Sequence, residues 1–141
     1  MNPNSLVYPM FALVVLTAVV LVVLFRSRVG AVKAGKLGSK YFRVYQGEVE
    51  PEETAKPARH FSNLFEAPTL FYAACLAAML TQNSGIIVQC LAWAYVAARA
   101  VHAYVHLGGN RLGKRMRAYF FGWAVLLILW VDVVAHVAIR A

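Results

Sequence analysis

Charge and cysteine are what this chain has least of. Asp, Glu, Lys and Arg make up 14% of its 141 residues, against about a quarter in an average soluble domain. A chain so poor in charge and so rich in apolar residues is not intrinsically disordered. Two cysteines exclude a disulfide-stapled scaffold. Cys75 and Cys90 lack a CxxC partner, and each reads as a small buried apolar residue. The alternating pattern of a membrane β-barrel is missing, and so is any internal repeat. What is present is apolar: 61% of the residues are hydrophobic, with a mean hydropathy of +0.61. A small soluble domain leaves too much of its surface in water to hide that content. The expected class is therefore an all-α integral membrane protein of one domain, residues 1–141.

Four apolar runs carry this reading. Residues 8–25 hold no charge, 61–81 hold only Glu66, 86–107 only Arg99, and 118–139 only Asp132. A helix of about 20 residues crosses a hydrocarbon core of about 30 Å, and helices satisfy their own backbone in lipid. Four transmembrane helices are expected over these ranges, with a loop over 26–60. The first run is read as a retained helix, not a signal peptide. No basic residue precedes it, and Arg26 and Arg28 follow it as a stop-transfer flank.

The net charge of +8 would suggest nucleic acid in a soluble protein. Here position explains it instead. Twelve of the fourteen basic residues lie in 26–60 or 108–117, and basic loops stay in the cytoplasm. Both loops share one side if both termini lie outside, and the uncharged connection 82–85 then faces out. No nucleic-acid partner is expected. The basic run Arg111, Lys114, Arg115 and Arg117 reads as a headgroup and topology signal, one arginine of which could reach a ligand. Loop 26–60 reads as irregular, apart from a short continuation of the first helix suggested by Val29 and Val32. It contains four glycines, the acidic cluster Glu48, Glu50, Glu52 and Glu53, and Pro51 and Pro57. Tyr119, Phe120, Phe121 and Trp123 resemble an interfacial aromatic belt.

Ionisable residues inside membrane helices are costly, so each marks a candidate site. Arg59, Asn63 and Glu66 are spaced i, i+4, i+7 on one helical face, and Tyr95, Arg99, His102 and His106 share another. Glu66 and His102 each lie about 7 Å inside the cytoplasmic end of their helix, and Arg99 about 12 Å. The two helices are antiparallel neighbours, so Glu66 can meet Arg99 or His102, either as a structural ion pair or as part of a ligand site. Pro68 predicts a kink that frees the carbonyl of Leu64. Arg forks onto carboxylates, Asn offers both a donor and an acceptor, and Glu can hold an ammonium. The set fits a small anionic or zwitterionic, peptide-like molecule, and no metal. Asp132 and His136 (i, i+4) lie in the outer half and read as a helix-bridging pair or a proton relay.

With Arg59-x-x-x-Asn63-x-x-Glu66 followed by Pro68, the Ala98-Arg99 segment and the aromatic start of helix four, residues 5–139 resemble the MAPEG family. These are membrane-associated proteins in eicosanoid and glutathione metabolism. The resemblance implies a homotrimer with glutathione between neighbouring subunits near the cytoplasmic face, held here by Arg59, Asn63, Glu66 and Arg99. It implies an arginine that stabilises the thiolate, and a lipophilic second substrate for glutathione transfer or peroxide reduction. The sequence departs from the eicosanoid enzymes in three respects. His102 and His106 replace tyrosines, Ala67 replaces a tyrosine, and Gly113 stands where the activating arginine is expected. Arg111, two residues away, then becomes the candidate activator, with His102 and His106 as the other candidate catalytic groups. Leukotriene chemistry is not implied. Two further readings remain open: a non-enzymatic membrane scaffold or binding protein, and a haem-binding subunit using His60, His102, His106 or His136. The absence of a targeting segment points to the bacterial inner membrane.

Overall fold

The computed structural model describes residues 2–45, 47, 49–83 and 85–140. Glu48 of the acidic cluster, Ser84 of the outer connection, and the end residues Met1 and Ala141 lie outside the described residues. A 3₁₀ turn, Pro3–Leu6, is capped by Asn2, whose Oδ1 accepts from the amide of Asn4 at 2.9 Å. It leads into α1 (Val7–Lys33). At 1.5 Å per residue α1 is about 40 Å long, so it overshoots a hydrocarbon core of about 30 Å. Gly35, at φ +67°, takes the left-handed turn that ends α1. The amide of Lys36 then donates to the carbonyl of Ala31 at 3.0 Å.

The 26–60 segment is far more ordered than an irregular loop. After α1 a short helix, α2 (Tyr41–Val44), folds back, and Ala31, Leu37 and Tyr41 are buried together. Helix α3 (Glu52–Asn63) begins nine residues before the expected start of the second span. Glu52 and Glu53 occupy its first turn, where carboxylates complement the helix dipole. Lys36 pairs with Glu53 at 2.7 Å and Lys56 with Glu52 at 2.9 Å.

The second span is not one helix over 61–81. It stops at Asn63 and resumes as α4 (Ala67–Leu80). Pro68 lies in the first turn of α4, where its missing N–H is tolerated, whereas an unbroken helix would set its ring against the carbonyl of Leu64. The expected kink is therefore a full break at residues 64–66. The amide and hydroxyl of Thr69 both donate to the carbonyl of Glu66, at 3.1 and 2.6 Å.

Helix α5 (Ile86–Leu107) occupies the expected range, and α6 (Leu112–Arg140) starts six residues before it. The spans 4–33, 52–80, 86–107 and 112–140 are long and apolar enough to cross a membrane. Among the described residues there is no strand. The architecture is thus an all-helical, four-span membrane bundle.

Leu13 of α1, Phe71 of α4, Tyr95 of α5 and Leu129 of α6 meet in one buried core. Phe11, Val19, Leu127 and Val134 point outward, as in helices that are apolar all round. Cys75 is buried as expected, but Cys90 is exposed. At the end remote from the Lys36–Glu53 pair, Asn83 donates to Asp132 Oδ2 at 2.9 Å, and His136 Nε2 lies 3.2 Å from the carbonyl of Thr81. Asp132 and His136 therefore clamp α6 to the α4–α5 turn. The 3₁₀ turn, which packs on α4 and α5, and the last turns of α6 share that end of the bundle.

Candidate functional site

The break in the second span builds the site. Because α3 ends at Asn63, its backbone carbonyl accepts a long bond from the amide of Glu66, at 3.4 Å, and stays open to a side chain from another helix. Arg99 of α5 uses it: Nη2 donates to that carbonyl at 3.3 Å and to Asn63 Oδ1. Asn63 Nδ2 in turn donates to Glu66 Oε2 at 3.0 Å. Among the described residues the ion pairs are Lys36–Glu53 and Lys56–Glu52, so Glu66 and Arg99 are not directly paired. Asn63 bridges them. The two polar faces point at each other, as the spacing suggests, but through an amide relay.

Arg99 is only 2% exposed, and burying a guanidinium is costly unless it is hydrogen-bonded. Asn63 supplies both of its acceptors, and its Nε has none. Arg99 lies behind the wall of the site, not on its lining.

The lining is a cleft of about 290 Å³ between α3, α5 and α6. Arg59, Asn63 and Glu66 line it from one side, His102 and His106 from the second, and Arg115, Met116 and Tyr119 from the third. All three second-span ligand candidates are brought together there with both histidines. Tyr95 shares the α5 face but lies deeper, stacked on Phe71 at 4.6 Å between ring centroids.

Arg111 is not part of this cleft. It is exposed and lines a separate depression with Tyr104, Asn110 and Lys114. The cationic residue of α6 that does enter is Arg115, a member of the basic run from which one arginine could reach a ligand. Its Nη1 donates to Asn110 Oδ1 at 2.8 Å and lies 3.4 Å from His106 Nε2. The signal for it is the true start of α6. With the helix beginning at Leu112, Arg115, Tyr119 and Gly122 fall at i, i+4, i+7 on one face. Gly122 confirms the direction of that face, since a Cβ there would lie 3.9 Å from Arg99 Cδ. Gly113 is exposed, with open space around it.

Three imidazoles pack together at the cleft wall, with His60 behind His102 and His106. The His60 ring centroid is 5.2 Å from that of His102 and 5.0 Å from that of His106, which are 5.6 Å apart. His60 is fully buried, and neither of its ring nitrogens has a hydrogen-bond partner. The rings are tilted against one another, by 48° and 34° for His60 on His102 and His106 and by 61° between the latter two. Among the described residues no three His, Cys, Asp or Glu are arranged to hold a metal ion.

A model of the MAPEG family matches residues 6–135, nearly the whole chain. No curated protein and no solved structure gives a significant match.

Proposed function

Because the chain belongs to the MAPEG family, whose members are membrane proteins of glutathione and eicosanoid metabolism, we propose that its α3–α5–α6 cleft binds glutathione and presents the thiol to a lipophilic electrophile or peroxide from the bilayer. The observation that carries this reading is the charge inventory of the lining: two guanidiniums, Arg59 and Arg115, and one carboxylate, Glu66. Glutathione carries two carboxylates, one ammonium and a thiol. Glu66 suits the ammonium, and Arg59 suits a carboxylate through bidentate bonds. Arg115, not Arg111, is the cation we assign to the sulfur. A free thiol has a pKa of about 8.5, and an adjacent cation favours the nucleophilic thiolate. His102 and His106 stand beside Arg115 as donors to the departing or reduced oxygen. Arg99 acts at one remove, by holding Asn63 and through it Glu66.

A volume of about 290 Å³ is at the low end for small-molecule sites, which run from about 300 Å³ upward. A neighbouring subunit of a homotrimer would complete the cleft and take the second carboxylate. From the positive-inside rule we infer that its mouth opens to the cytoplasmic side of a bacterial inner membrane.

The test is calorimetric titration of the purified oligomer with glutathione, beside a family member known to bind it. Arg59→Met, Glu66→Gln and Arg115→Met should each weaken binding by about 1–3 kcal/mol. No binding heat from the wild type, when the comparator binds, overturns the proposal. A visible spectrum of the same sample, free of a Soret band, separates it from the haem reading. The scaffold reading draws on one observation, that the Arg99–Asn63–Glu66 relay is already complete without a ligand. It predicts that Glu66→Gln combined with Arg99→Met is tolerated with no loss of any ligand.

A further inference from the structure

A second cleft, of about 500 Å³, lies where α1 leaves the apolar run and α2 folds back on it. Its floor is apolar, formed by Phe25, Val29, Val32 and Phe42, and its cations are Arg28 and Lys33. The Arg28 guanidinium lies 5.2 Å from the ring centroid of Phe42 and 5.6 Å from that of Tyr45. This is a cation–π arrangement that fixes the charge without neutralising it. Arg28 Nε is buried with no hydrogen-bond partner. Glu50 shares a neighbouring cleft with Arg28, yet no ion pair joins them. Residues 26–43 contain Arg26, Arg28, Lys33, Lys36, Lys40 and Arg43 and no acid. Phe25, 67% exposed, closes the uncharged run. The cleft thus spans the level at which hydrocarbon gives way to headgroups.

We propose that this cleft is a seat for one anionic phospholipid, with its phosphate on Arg28 and Lys33 and the upper part of an acyl chain along Phe25, Val29 and Val32. The occupant follows from two complementary features. Uncompensated positive charge selects an anionic headgroup, and an apolar floor continuous with a membrane span selects a lipid over free phosphate. The seat is separate from the α3–α5–α6 cleft and does not depend on glutathione binding.

Native mass spectrometry of the full chain, purified in detergent and exposed to equal amounts of phosphatidylglycerol and phosphatidylcholine, tests this. One phosphatidylglycerol per chain should be retained preferentially. Each basic residue near the surface contributes enough to change anionic-lipid binding about fivefold, so Arg28→Gln with Lys33→Gln should weaken retention well over tenfold. Lys40→Gln with Arg117→Gln removes two exposed charges outside the cleft and should leave retention nearly unchanged. Val32→Trp fills the floor, keeps every charge, and should also lower retention. Equal losses in the two charge pairs would mean diffuse attraction and overturn the proposal. So would unaltered retention in Val32→Trp, or displacement of the lipid by excess inorganic phosphate. A wild type that keeps no phosphatidylglycerol overturns it as well.

Discussion

Asn63 has two tasks, and its side-chain amide serves both. Its carbonyl and Oδ1 satisfy buried Arg99, and its Nδ2 holds Glu66. Asn63→Ala removes the side-chain acceptor and leaves a buried guanidinium poorly paired, so stability should fall by about 1–3 kcal/mol, read as a lower melting temperature in detergent. Arg59 lines the cleft and makes no such bond, so Arg59→Met should leave the melting temperature nearly unchanged while weakening glutathione binding. On α6, Arg115→Met should weaken glutathione binding, and Arg111→Met, in its separate depression, should not. A titration series across both arginines measures this. Arg59 and Asn63 were legible because helical spacing aligns them on α3, whereas Glu66 reaches the same cleft from across the break. Arg115 was not, because its face depends on where α6 begins, and the basic run 111–117 looks like a loop if only apolar residues are counted.

At the scale of elements, the break at 64–66 sets the site. Pro68→Ala would restore a donor toward the Leu64 carbonyl and allow α3 and α4 to fuse. A continuous helix would take up the Asn63 carbonyl that Arg99 now uses. Pro68→Ala should therefore keep or raise helicity by circular dichroism while lowering glutathione affinity. Loss of helix would argue against Pro68 as the cause of the break. The position of the proline was legible, since it announces a disturbance at residue 64. Helix α3 was not. Pro51, Pro57 and four glutamates in six residues resemble loop chemistry, yet Pro51 caps α3 and Glu52 and Glu53 fill its first turn. Packing of buried Thr54, Pro57 and His60 against the rest of the bundle outweighs the local propensity. The apolar runs themselves were readable because the bilayer demands them, and α5 matches its run end to end.

At the scale of the whole molecule, charge and topology agree. Residues 26–60 and 108–117 hold twelve basic groups, and the structure puts the 3₁₀ turn, the last turns of α6 and the uncharged Thr81–Asn83 turn at the opposite end of the bundle. In right-side-out vesicles carrying a Cys75→Ala, Cys90→Ala background, a membrane-impermeant thiol reagent should label Gln82→Cys and spare Lys40→Cys until the vesicles are opened. The reverse pattern would invert the orientation and move the cleft to the outside. The break between α3 and α4 has a mechanical corollary. Asn63 closes one rod and Glu66 opens the next, so a guest gripping both rivets two otherwise jointed segments. Deuterium uptake at amides 64–66 should slow once the tripeptide is seated, making this joint a built-in gauge of occupancy.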